Sequence, residues 1–284
     1  LMYKWDPQEA VRLIKRERIT RFTGVPTQSA ELMDTARALG ESLDTLEAIG
    51  GGGAKRPAAQ VGQLAEAFPA AAIASGWGMT ETNALGILIG GPDYVAHPEA
   101  AGRPTPPLQA MRIVDGDGVE VPTGEIGELT VKSAANMRCY LNQPEATAKA
   151  LRDGWYHTGD AGWLDEDGFL HIAGRTTEMI VSGGENVYPV EIENALSLHP
   201  AIDSAAVIGV PCSHWGATVH AVISVKPDCT LTLAELDAHC RPLIAGYKCP
   251  RGLTVWDGAL PLTNVGKLDK TTMRNAVLAA RTKE

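Results

Sequence analysis

The sequence predicts an α/β fold, and three observations carry that expectation. Apolar strand-like runs alternate with amphipathic helical stretches over residues 1–89. After about residue 105 the texture changes to short strands punctuated by Asp-Gly and Pro-Thr-Gly turns. A second alternation of helices and strands opens at Arg175. The reading therefore divides the chain into an α/β part (1–105), a small β-barrel or sandwich (106–174) and a further α/β segment (175–284).

The first helix opens on Asp6 as N-cap, Pro7 at the first helical position and Glu9 in a capping-box pattern, with Val11, Leu13 and Ile14 on its apolar side. ITRF (19–22) reads as a strand broken by Gly24 and Pro26, and QVGQLAEA (60–67) as a helix before the apolar run 71–75. In the middle segment, DEDG (165–168) joins two strands as a turn, because the acidic spacing of a calcium loop is missing. Further on, Pro189 starts a helix with Glu191 and Glu193 in its first turn. Strands 205–210 and 219–225 flank Pro211, and Thr232 with Glu235 forms a capping box. Residues 270–281 place Met273, Val277 and Leu278 on one helical side.

Composition excludes several classes. A net charge of −9, concentrated in residues 1–174, argues against a nucleic-acid binder or a protein of anionic membrane surfaces. No apolar run is long enough to span a bilayer, and the first residues lack signal-peptide organisation. Five cysteines without a CxxC pair fit reduced thiols in a cytoplasm. The seven histidines have no metal-ligand spacing, so no structural metal is expected.

Five segments can carry chemistry. GGGG (50–53), with no GxGxxG or Walker continuation, reads by itself as a turn rather than a phosphate cradle. GWGMTET (76–82) offers an aromatic ring for a base, a hydroxyl for phosphate and a carboxylate for Mg²⁺; its plainer reading is a polar loop with Trp77 filling core. WYHTGDAG (155–162) sets Asp160 on a glycine-flanked turn able to accept two ribose hydroxyls, or merely to turn. GRTTEMIVSGGENVYPVEIE (174–193) combines the Arg175 fork with a glycine backbone that a thin ligand can approach, and also suits a domain-linking turn. PLTNVGKLDK (261–270) sets Lys267 beside a glycine, where a lone lysine is ordinarily a solvated charge.

In this order, over almost the whole chain, the segments resemble the adenylate-forming superfamily of acyl-CoA synthetases, luciferases and peptide-synthetase adenylation domains. GEIGELTVK (124–132) and GWYHTGD (154–160) match two further signatures, and SGGENVYP with YKCPR (247–251) is most similar to stand-alone acyl- or aryl-CoA ligases. The resemblance implies the remainder of a large α/β N-terminal domain with a β-barrel subdomain, then a smaller mobile α+β C-terminal domain hinged at about 174–178. It implies ATP, Mg²⁺ and coenzyme A as cofactors and a small carboxylic acid as substrate, with an acyl-adenylate formed first and a thioester second.

By position, the resemblance gives Gly53, Ala54, Trp77 and Gly78 to adenine, and Thr80 to phosphate. Glu81 goes to Mg²⁺, Asp160 to ribose, Arg175 to ribose or phosphate, and Lys267 to the adenylation step. Gly184 is given to the pantetheine channel, and Lys248 with Arg251 to CoA phosphates. Thr177 stands where the family's hinge residue is usually Asp or Lys. The small apolar Val25, Ala84 and Leu85 fit a fatty, alicyclic or aromatic acid. The family's upstream phosphate loop is not found, so the expectation is a C-terminal half that is inactive by itself. The other readings are adenylation for a carrier protein, luciferase-like oxidation, and a non-catalytic nucleotide-binding half-chain.

Overall fold

The computed structural model describes residues 2–84, 86–263 and 267–281. Leu85 and the 264–266 part of the Lys267 loop lie outside the described residues. The chain forms two compact units, Leu1–Thr158 with Gly162–Ile172, and Gly159–Ala161 with Ala173–Glu284.

In the first unit the α/β part runs α1 (Pro7–Glu17), β1 (Arg21–Gly24), α2 (Pro26–Ala38), β2 (Ala48–Gly51), α3 (Ala58–Ala67), β3 (Ala72–Trp77), β4 (Ile87–Gly90) and α4 (Pro92–Ala96). Strands β1, β2 and β3 are parallel neighbours, and β4 adds antiparallel to β3. Helices α1–α4 bury Val11, Ile14, Leu32, Val61 and Tyr94 in one core with Ile49 and Ile73 of the sheet. The Gly24–Pro26 break is the start of α2, with Pro26 in its first turn, where a missing N–H costs nothing. The capping box of α1 forms only in half. Asp6 accepts from the Glu9 amide at 3.0 Å, but the Glu9 carboxylate turns outward to Arg12 at 2.6 and 2.7 Å.

The β-rich part contains β5 (Gln109–Val114), β6 (Gly127–Ser133), α5 (Pro144–Ala150), β7 (Leu151–Arg152), β8 (Trp155–Leu164) and β9 (Leu170–Arg175). They form a five-stranded sheet in the order β5-β6-β8-β7, with β9 also on β8. Its core gathers Ile113, Leu129, Val131, Tyr156 and Leu170. The 165–168 turn is closed by the Asp165 carboxylate, which accepts from the amides of Asp167 and Phe169.

The second unit continues with β10 (Ile180–Ser182), β11 (Glu185–Val187), α6 (Pro189–Ser197), β12 (Ile202–Cys212), β13 (Gly216–Val225), α7 (Leu233–Cys240), β14 (Gly252–Val255) and α8 (Lys270–Arg281). The sheet order is β11-β10-β13-β12, with β14 parallel to β13. Pro211 does not end its strand, contrary to the sequence expectation. It pairs with Ala217 near the end of β12, which is an edge strand, and an edge tolerates a missing N–H. The Thr232–Glu235 box forms completely, each side chain accepting the other's amide at 3.3 and 2.8 Å. Among the described residues no helix is long and apolar enough to cross a membrane.

Candidate functional site

Three parallel strands deliver their carboxyl ends to one edge of the first sheet: Gly24, Gly51 and Trp77. Crevices at such edges are the usual ligand sites of open α/β sheets. Past β3 the chain makes a single 3-10 turn, Thr80–Thr82. Thr82 is buried, and its hydroxyl closes the turn by accepting from the Met79 amide at 3.2 Å and donating to the Met79 carbonyl at 3.1 Å. That leaves Thr80 exposed and Glu81 half-buried. The Tyr140 hydroxyl donates to Glu81 Oε1 at 3.0 Å, and the Tyr156 hydroxyl lies 3.4 Å from that of Tyr140. The Met137 amide holds the Glu81 carbonyl at 2.6 Å.

Trp77 is half-buried and packs on the core around Ile87 and Ile113, so the plainer reading of this ring, as core, holds in part. Gly53 and Ala54 are exposed just after β2. Beside them Lys55 pairs with Glu99 at 2.7 Å, whereas Arg56 turns inward and is buried.

Asp160 is buried on β8 behind the left-handed Gly159 (φ +71). Arg175 Nε donates to Asp160 Oδ1 at 2.9 Å, and the Thr176 hydroxyl donates to the Gly159 carbonyl at 3.1 Å. Two residues given separate roles on sequence are thus one ion pair. The segment Thr176–Glu178, including Thr177, is a 3-10 turn tied to α6 and α8, because Lys270 Nζ meets Glu178 Oε2 at 2.6 Å and Glu193 Oε1 at 2.9 Å.

Gly183 and Gly184 form the two-residue turn of the β10–β11 hairpin, both with positive φ (+62 and +89), the geometry that suits such hairpins and favours glycine. The Gly183 amide donates to the Trp215 carbonyl at 2.9 Å, and a Cβ at 183 would lie 2.6 Å from Trp215 Cε3. A Cβ at 184 would meet nothing within 4 Å. Arg251 stacks on the Trp215 ring at 4.3 Å, and Lys248 Nζ is bound by both Glu191 oxygens at 2.6 and 2.8 Å. Neither of these two cations is an unengaged charge. Lys267 is exposed beside the Leu262–Leu268 bridge; its carbonyl accepts from the Thr263 amide at 2.7 Å and its amide donates to the Thr263 hydroxyl at 3.2 Å.

The donor set suits Mg²⁺ rather than a metal caged by protein. Among the described residues no group of three His, Cys, Asp or Glu side chains gathers for an ion. A single oriented carboxylate such as Glu81 matches the way Mg²⁺ is held by one or two carboxylates plus substrate phosphates.

Sequence reasoning missed Tyr140, and it marked Arg56 only as a departure from the family's usual loop residue, without foreseeing that it faces inward. Tyr140 stands 59 positions from Glu81, and nothing in its neighbourhood pointed to that contact.

Two family models match in order: AMP-binding enzyme over residues 1–141, and AMP-binding enzyme C-terminal domain over 191–267. The chain belongs to the AMP-binding, adenylate-forming enzyme family. It is 36% identical over 270 residues to a feruloyl-CoA synthase from an Amycolatopsis species, covering 95% of this chain and 54% of the relative. Among solved structures of this family, the amide bond synthetase McbA of Marinactinospora thermotolerans superposes with a TM-score of 0.86 at 31% identity, over 98% of this chain and 56% of that one. The o-succinylbenzoate CoA synthetase of Bacillus subtilis, solved with its acyl-adenylate, gives 0.86 at 29% identity, over 98% and 54%. The chain spans about half the length of the family members it matches.

Proposed function

We propose that this chain is the C-terminal half of an AMP-forming acid–thiol ligase that activates a carboxylic acid with ATP and passes the acyl group to coenzyme A. In the first step a carboxylate oxygen attacks the α-phosphorus of ATP and the bond to pyrophosphate breaks. In the second the CoA sulfur attacks the acyl carbon, the bond to AMP breaks, and the thiol proton is lost to solvent. The observation that carries the reading is the distribution of parts. The Glu81 turn sits on one unit, while Lys267 and the Gly183–Gly184 turn sit on the other, as a two-step enzyme with a reorienting C-terminal domain requires.

In this reading Thr80 binds phosphate and Glu81, oriented by Tyr140, holds Mg²⁺, which neutralises phosphate charge. Trp77, Gly78, Gly53 and Ala54 face the adenine, and the Asp160–Arg175 pair clamps the ribose. Lys267 stabilises the charge that moves onto the α-phosphate oxygens. Gly184 lines the pantetheine path, with Lys248 and Arg251 near CoA phosphates. The domains divide at about 105 and 174–178, and the enzyme works in the cytoplasm.

The test is acid-dependent ATP–pyrophosphate exchange with the full-length protein, followed by product analysis with CoA. Exchange without thioester formation would remove the CoA half of the reading. A second acceptor has specific support: one superposed structure is an amide bond synthetase, so an amine is the alternative nucleophile. Supplying CoA and an amine in competition separates the two. The chain of residues 1–284 is expected to give no exchange by itself, and measurable turnover would overturn that.

A further inference from the structure

Arg56 is 1% exposed, in the loop that follows β2. Its Nη1 donates to Gln60 Oε1 at 3.0 Å and its Nη2 to the Ser29 hydroxyl at 3.4 Å. The Nε is buried with no partner. Among the described residues no carboxylate faces this guanidinium, and burial pulls its pKa below the ordinary value. The half-buried Lys270, by contrast, is met by two carboxylates. A desolvated cation with only neutral partners is unfavourable unless an anion completes it.

Its position says where that anion comes from. The guanidinium lies against the α-carbon of Gly51, with Cζ 3.3 Å from where a Cβ would stand; any side chain at 51 would displace it. Gly51 ends β2 at the edge where β1 and β3 also end, and the Glu81 turn follows β3 at that edge. At the adjacent Gly52 a Cβ would meet nothing within 4 Å, so the backbone there borders open space. A carboxylate suits the planar fork of arginine, whereas a neutral tail would leave the Nε unpaired.

We propose that Arg56 determines specificity, and that the acid activated at this edge carries a second carboxylate, distal to the reacting one, which pairs with the Arg56 guanidinium. The proposal rests on the ligase reading and narrows its substrate class to dicarboxylic acids.

The experiment uses pyrophosphate exchange by the full-length protein with linear dicarboxylic acids and their monomethyl esters, which differ only in the distal charge. The diacid is expected to exceed its ester in kcat/KM by about 30-fold or more, as for a charge-assisted pair. Arg56→Gln is expected to bring the diacid down to the level of the ester, through KM, lowering the diacid by far more than it lowers the ester. Arg56→Lys, which keeps a cation and guards against a folding defect, is expected to retain part of the preference. Wild-type esters or monoacids performing as well as the diacids would overturn the proposal, as would an equal loss on both substrates in Arg56→Gln. Exchange with no acid of any kind would instead remove the ligase reading itself, and the proposal with it.

Discussion

Arg175 donates its Nε to Asp160 Oδ1 at 2.9 Å, joining the end of β9 to the middle of β8. The carboxylate is thereby held in one orientation, buried, with the guanidinium on one side and the left-handed Gly159 behind it. Asp160→Ala is expected to weaken AMP binding by the full-length protein by about 10–100-fold, the worth of a charge-assisted hydrogen bond to a sugar hydroxyl. Calorimetric titration with AMP measures it; unchanged affinity would remove the pair from the nucleotide site.

Lys267 is exposed, next to the Leu262–Leu268 bridge, and serves one half-reaction in the proposed scheme. Lys267→Ala should lower adenylation by about 100–1000-fold, the usual effect of removing one preorganised donor. Thioester formation from supplied acyl-adenylate should be spared. Equal losses in both half-reactions would contradict the division.

The Gly183–Gly184 turn makes two different demands. At 183 any side chain meets the Trp215 ring, so Gly183→Ala should destabilise the second unit, by about 1–3 kcal/mol in thermal or urea unfolding. At 184 there is open space, so a bulky residue meets only the backbone cost of φ +89. Gly184→Trp should therefore fold, block thioester formation and leave pyrophosphate exchange intact. Loss of exchange would place 184 outside the thiol path.

His220 is buried on β13, with Nε2 2.8 Å from the Thr254 hydroxyl and Nδ1 without a partner. Burial pulls its pKa from 6.5 down to about 4. The unfolded chain therefore binds a proton between pH 6.5 and 4 that the folded chain refuses. Stability from the neutral ring is full above pH 6.5 and is lost as pH falls toward 4, on the order of 3 kcal/mol. The melting temperature of His220→Leu should fall less than that of the wild type over this window.

Lys270 ties the 3-10 turn after β9 to α6 and α8 through Glu178 and Glu193, and Glu193 also accepts from the Val207 amide at 2.8 Å. Lys270→Ala should cost about 3 kcal/mol of unfolding free energy, because it strands two carboxylates, one of them largely buried. A loss below 0.5 kcal/mol would show that water replaces the lysine.

Much of this was legible in the sequence, because local physics writes it there. Asp6 and Thr232 cap helices where the sequence predicts, and Pro189 opens one in its first turn, since caps and N-terminal prolines act within one turn of their own residue. The DEDG turn closes on its own aspartate for the same reason. Strand β12 escaped the local reading, because whether a strand tolerates Pro211 depends on its being an edge, a property of the sheet.

For the site, sequence order and the family resemblance nominated the residues proposed to carry the chemistry: Glu81, Asp160, Arg175, Gly184 and Lys267. Which partner each of those charges meets became visible with the folded chain. The fold joined Asp160 to Arg175, set Tyr140 on Glu81, tied Lys248 to Glu191 and left Arg56 buried without an acid. The physical reason is range. Caps and turns are settled within a few residues, whereas the field around a charge depends on whatever side chains the fold brings within a few ångströms, from any distance along the chain.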